Sequence, residues 1–231
     1  IGMAFSHSPK IVTDGLVVCV DAADRNSYPG SGATITDISG NSNDGDLSNS
    51  PSFDAANGGS IELDGTNQSI IIPEWMYSGM AGFTIQCTFR IPTWVGGTQQ
   101  PAIFGVHGSG GTYCRWTAET TLLTYFNGAT NNQAISATNV SSVTNKFYIT
   151  THTYDVSSTT IKIYFDTLLK NTLSVDLGLP LNTQPTGIGR YAGVSSYFFN
   201  GYYYSFRAYD RALSTDEVLQ NYNATKSRFG L

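Results

Sequence analysis

"GFTIQCTFRIP", residues 82–92, places apolar side chains at every second position: Phe83, Ile85, Cys87, Phe89 and Ile91. Side chains alternate across a strand, so these five share one face. The pattern predicts a β-strand with that face turned into a core.

Similar runs extend from it in both directions. Upstream lie "GLVVCVD" (15–21), "ATITDIS" (33–39) and "GGSIELDGTNQSIIIP" (58–73). The last reads as a hairpin, with strands "SIEL" and "SIIIP" and "DGTN" as its turn. Downstream, strands are predicted at 102–107, 113–118, 121–127, 133–139, 146–155, 160–167, 171–177, 186–192 and 197–210. Many short strands with Gly, Asn and Ser turns indicate a sandwich or barrel. Pro73, Pro92, Pro101, Pro180 and Pro185 fall at strand ends, where a missing N–H does little harm.

One helix is predicted, in "DRALSTDEVLQNYN". Ser214 and Glu217 have capping-box spacing, and Leu213 with Val218 makes a hydrophobic staple. A second short turn is read at "EWMYSGM" (74–80). Residues 1–14 lack periodicity and read as an N-terminal arm. The body then runs as one domain over 15–226, with 227–231 as a tail.

Composition narrows the function. Charged residues are only 13% of the 231, and the net charge is −5. Nucleic acid is excluded as a partner, because phosphate binding needs clustered Lys and Arg. No run of 18 apolar residues exists, so no membrane span is expected. The first residues lack the apolar stretch of a secretory signal. Cys19, Cys87 and Cys114 have no CxxC spacing and read as buried free thiols. His7, His107 and His152 are far apart in sequence and make no metal cluster with them.

The order "GLVVCVDAAD", "DISGNSNDGDL", "GGSIELDGTNQSIIIP", "FTIQCTFRI" and "GYYYSFRAYDRALSTDEVLQNYN" resembles the laminin-G-like branch of the concanavalin A-like lectin/glucanase superfamily. The resemblance covers nearly the whole chain. It implies an all-β fold: a jelly-roll β-sandwich of two curved antiparallel sheets with one short C-terminal helix. It also implies sugar binding and a structural calcium. The two ends, "MAFSHSPKIVTDGLVVCVDAADRNSYPGSG" and "NYNATKSRFGL", resemble tailed-bacteriophage proteins, especially those of cyanobacteria. That implies a virion structural protein (a decoration, fibre or appendage subunit) whose partners are other virion proteins and host glycans. A free extracellular lectin is the alternative, and a homo-oligomer is compatible with either.

The superfamily also holds glycoside hydrolases. Retaining hydrolysis needs two carboxylates about 5–5.5 Å apart. The E-x-D-x-x-E signature of the glucanase branch is absent, and of the scarce glutamates Glu217 belongs to the capping box. Asp64, two residues after Glu62, opens a turn. No catalytic residue is therefore assigned, and the chain reads as a non-enzyme.

"DISGNSNDGDL" (37–47) is rich in turn formers. Calcium takes six to eight oxygens from carboxylates, carbonyls and Asn side chains. The resemblance implies that the terminal strands lie side by side. Asp21, Asp37, Asn41, Asn43 and Asp210 are then the candidate Ca2+ ligands, with Asp24 as an alternate. Asp44 and Asp46 are expected to face solvent.

Aromatic residues supply candidates for a sugar site, since sugars lay their C–H faces on Trp and Tyr rings. Arg115, Trp116, Tyr125, Arg190 and Tyr191 are the candidate ligand face. Trp75 and Trp94 sit in or near turns. In 197–210, alternation places Tyr202, Tyr204 and Phe206 on one face and Tyr203 on the other. Packing alone explains most aromatics in strands.

Overall fold

A computed structural model of the chain describes residues 9–93, 101–106, 112–127, 132–138, 144–179, 184–190 and 197–231. The strands in chain order begin with β1 (Leu16–Asp21), β2 (Thr34–Ile35), β3 (Gly45–Ser48), β4 (Ser52–Asp54) and β5 (Ser60–Asp64). Next come β6 (Ser69–Ile72), β7 (Gly82–Arg90), β8 (Ala102–Val106), β9 (Tyr113–Ala118), β10 (Thr121–Asn127) and β11 (Asn132–Ala137). The series ends with β12 (Phe147–Asp155), β13 (Thr160–Phe165), β14 (Leu168–Ser174), β15 (Thr186–Ile188) and β16 (Asn200–Tyr209). Helix α1 (Thr215–Thr225) and a 3-10 turn, Lys226–Phe229, close the chain.

Two antiparallel sheets form a sandwich, as the sequence predicts. One runs β14-β13-β12-β7-β16-β5-β4, with β1 also on β16; the other runs β11-β10-β9-β8-β15-β6-β3-β2. Strand β16 is long enough to hold two neighbours end to end along one edge. Residues 200–203 pair with β5, and 205–209 with β1.

The strand at 82–90 lies at the centre of the first sheet, and Phe83, Ile85, Cys87, Phe89 and Ile91 are all in the core. Its other face is buried too: Thr84, Gln86 and Thr88 are at most 1% exposed. Helix α1 and the segments around it cover that face through a polar layer. Gln86 donates to Thr151 at 2.9 Å, and Arg207 donates to Gln86 at 3.2 Å and to Thr225 at 3.4 Å. Asn221 donates to the Tyr209 hydroxyl. A small apolar cluster of Val12, Tyr164, Tyr209, Leu213 and Val218 completes the contact.

The capping box forms as expected: the Ser214 side chain accepts from Glu217 N–H while the Glu217 carboxylate accepts from Ser214 N–H. Arg211 holds that carboxylate at 2.6 and 3.0 Å, and this contact chiefly lowers its pKa to about 2. Leu213 and Val218 are both buried, completing the staple. Cys19, Cys87 and Cys114 are free and buried.

Five expectations need correction. "SIEL" and "SIIIP" are not a hairpin: β5 and β6 belong to opposite sheets. Asp64 does organise the turn, accepting from Thr66 N–H at 2.8 Å, but an Asx turn closes a corner as readily as a hairpin. The chain crosses the core there, so Ile61 and Leu63 face Ile70 and Ile72 from opposite walls.

Alternation also fails at Tyr204, where β16 shifts register against β7. The extra residue of this bulge puts Phe206 on the same inner face as Tyr203. Residues 10–14 are no loose arm. Val12 is buried, its N–H donates to Asn221 and its carbonyl accepts from Tyr209. Asp14 pairs with Arg211 at 2.8 Å. Residues 1–8 lie outside the described residues.

The tail is also part of the body. Phe229 stacks on Phe147 at 4.8 Å and meets Tyr204 edge-on. Arg228 reaches Asp21, Gly59 O and Asn57 O. At 74–80 the chain makes only a turn at Ser78–Gly79, while Trp75, Met76 and Met80 enter the core. "ATITDIS" contributes just the two residues of β2.

Candidate functional site

The outer face of the second sheet carries an aromatic and basic cluster. Tyr125 and Tyr113 are direct cross-strand partners on β10 and β9, and Leu123 pairs with Arg115 one step along. The two tyrosine rings stack at 5.3 Å and 16°. The Arg115 guanidinium lies 5.2 Å over Tyr113 and 4.7 Å over Tyr197. Tyr197 is held near it because its carbonyl accepts from Ala102 N–H of β8. Arg190, two residues beyond β15, lies 5.8 Å from the Phe198 ring. These six side chains are half-buried, leaving part of each open to solvent. Rings of this kind present flat surfaces for apolar C–H groups, and a guanidinium adds fixed donors.

The cluster gathers Arg115 and Tyr125 from the candidate ligand face, while Arg190 lies against Phe198. Tyr191 lies outside the described residues, as does Trp94. Trp116 does not belong to it. It is fully buried on the opposite face, packed edge-on against Phe165 at 5.6 Å and against Tyr148. Neighbours in a strand point to opposite faces, so Arg115 and Trp116 could not share one. The same rule applied from Arg115 selects Tyr113, which belongs to the cluster. Tyr197 comes from a loop with positive φ (66°), and no periodicity pointed to it.

The candidate calcium ligands do not converge. In the antiparallel register Leu16 faces Tyr209 and Asp21 faces Ser205. Asp210 therefore sits beside Gly15, at the far end of β1 from Asp21. Five residues of strand separate them, roughly 16 Å at the usual rise.

Each candidate also has another task. Asp21 is clasped by Arg228 at 2.7 Å and lies 3.8 Å from Arg207. Asp37 accepts from Cys19 N–H, Ser39 N–H, Ser39 Oγ and Asn43 N–H, all at 2.8–3.0 Å. Asn41 and Asn43 donate their amides to the Leu16 and Val17 carbonyls. Asp210 accepts the Tyr77 hydroxyl at 2.6 Å, which keeps that phenol protonated to higher pH than usual. Asp24 caps its own turn at Asn26. A carboxylate saturated by donors or flanked by guanidinium groups is a poor cation ligand. These residues do not fit a shared calcium site, and 37–43 is a turn that pins itself to β1. Asp44 and Asp46 are exposed, as expected, and Asp44 also accepts from Asp37 N–H.

Beside this turn lies an open cleft of about 430 Å³. Asn41 and Asn43 form one side; Glu74, Trp75, Met76 and Tyr77 form the other. Trp75 is anchored from within, its indole N–H donating to Thr186 at 3.0 Å.

No curated protein matches the chain in sequence. Solved structures do match in fold. The binding domain of Paraclostridial Mosquitocidal Protein 1 superposes with a TM-score of 0.72 at 16% identity, over 92% of this chain and 52% of that one. The botulinum neurotoxin serotype D binding domain gives 0.72 at 13% identity, over 91% and 51%. The chain thus spans about half the length of these structures. The family profile described as the concanavalin A-like lectin/glucanases superfamily matches residues 64–219. That match takes in β6 to β16 and the start of α1, and by it the chain belongs to this superfamily.

Proposed function

We propose that the chain is a non-enzymatic carbohydrate-binding module, with its glycan lying on Tyr113, Arg115, Tyr125 and Tyr197. The observation that carries this reading is the stacked Tyr113–Tyr125 pair, with Arg115 set between the rings of Tyr113 and Tyr197. It offers C–H stacking surface and hydroxyl-directed donors on one rigid sheet face. The superfamily supports it, as do matched structures that are themselves described as binding or receptor-binding domains. The absence of catalysis is supported by the use of Glu217 in its cap and Arg211 pair, and of Asp64 in its turn. A glycan array tests the site. Wild type binds at least one glycan, and Tyr125→Ala loses that binding while keeping its melting temperature. Binding unchanged in Tyr125→Ala and Arg115→Ala would remove the site.

The resemblance of both ends to tailed-phage proteins supports a place on a virion, as a decoration, fibre or appendage subunit. Mass spectrometry of purified particles would find the protein in fixed copy number. Its absence from them would leave a free extracellular lectin.

A further inference from the structure

The cleft beside the 37–43 turn is lined by Val17, Asn41, Asn43 and residues 74–77, none of them a member of the aromatic cluster, and nothing in the proposed function uses it. Its volume is within the range of about 300–1,000 Å³ usual for small-molecule sites. Both of its sides are fixed in advance. On one, Asp37 ties the turn together through four accepted hydrogen bonds, including those from Cys19 N–H and Asn43 N–H. Asn41 and Asn43 each turn their NH2 groups onto β1 carbonyls at 3.1 and 2.8 Å. An amide that donates into the backbone directs its oxygen elsewhere, so these two offer acceptors. On the other side Tyr77 is half exposed yet pinned, its hydroxyl on Asp210 and its N–H on Met80 Sδ. Glu74 is exposed and adds a carboxylate.

The polar atoms offered are therefore acceptors, and the apolar ones are the Tyr77 ring and the half-buried Val17 of β1, which also lines the cleft. A ligand that matches must bring several donors and one C–H-rich face. A neutral sugar ring has both, whereas an anion would meet Glu74. We propose that this cleft is a second, separate sugar subsite. One pyranose residue lies against Tyr77 and Val17, and its hydroxyls donate to Asn41 Oδ1, Asn43 Oδ1 and Glu74. Pinned walls reduce the ordering cost of binding, which suits a shallow site for a single ring.

The test is an NMR titration of the isotope-labelled full chain with methyl glucoside, methyl galactoside, N-acetylglucosamine and, as a cationic probe, tetramethylammonium. At least one sugar should shift the Asn41 and Asn43 side-chain amides and the Tyr77 backbone amide in a saturable way. Tyr77→Ala should weaken that binding about tenfold, the scale of one lost aromatic contact. Glu74→Gln, a second exposed position, should weaken it as well and guards against a fold defect in the first variant. Sugar shifts at the cleft with none at Tyr113 and Tyr125 would sink the sheet-face reading and keep this one. No cleft shifts with any sugar, shifts with tetramethylammonium alone, or shifts equal in both variants and wild type would overturn the subsite.

Discussion

His152 makes the fold sensitive to mild acid. It projects from β12 into the core with no exposure, 3.2 Å from Thr124 Oγ1 and 3.7 Å from Cys114 Sγ, with Phe104 edge-on at 5.2 Å. Among its described contacts is no carboxylate to stabilise a proton. Burial alone lowers its pKa from 6.5 to about 3. The unfolded chain therefore binds a proton that the folded one refuses, and stability must fall as pH drops below 6.5 toward 3. Between pH 7 and pH 5 the loss comes to about 2 kcal/mol, and for a chain this long to roughly 4–8 °C of melting temperature. Ordinary carboxylates barely titrate in that window. Asp166, whose pKa burial raises, acts in the opposite sense, since acid relieves the cost of its buried charge. Melting curves of wild type and His152→Gln from pH 7.5 to 5 isolate the effect. The variant starts lower but should lose about 2 kcal/mol less over the range. Parallel pH dependences would refute the reasoning and mean that a proton finds a partner beside His152.

Three further outcomes are expected. Phe89→Ala, at the centre of the core, should cost about 3–5 kcal/mol in urea unfolding; a near-neutral result would contradict its burial. Val12→Ala should cost about 1.5–3 kcal/mol, and unchanged melting would restore the loose arm over residues 10–14. Melting in calcium and in chelator should coincide, because the carboxylates of 21, 37 and 210 are separated and engaged; a gain of roughly 5 °C or more with calcium would show ligands converging elsewhere.

The inner face of β7 was legible in 82–92 because its period is uninterrupted. Its outer face was not. Thr84, Gln86 and Thr88 look like solvent-facing residues until α1 is placed over them, and no local pattern says which sheet a helix will cover. "DGTN" was legible as a turn but not as a crossing between sheets, because Asx chemistry is the same in both. The bulge at Tyr204 was hidden in a run of aromatics, any of which suits either face. At the candidate site the residue types were readable and their faces were partly misread. Strict alternation at 113–116 pairs Tyr113 with Arg115 and sends Trp116 inward. Tyr197 and the cleft depend on loops brought together from distant sequence, which leave no periodic trace.

The polar layer beneath α1 bears on how the molecule opens. Lifting the helix would expose mainly Gln86, Thr151, Arg207 and Asn221, groups that water can serve, and only the small patch around Val12, Leu213 and Val218. Parting the two sheets would expose the aromatic interior all at once. The cheaper event should occur alone and far more often. In native-state hydrogen exchange the amides of 215–225 would then trade their protons through a limited opening with weak denaturant dependence. Those of β7 and β12 would wait for the whole sandwich to come apart.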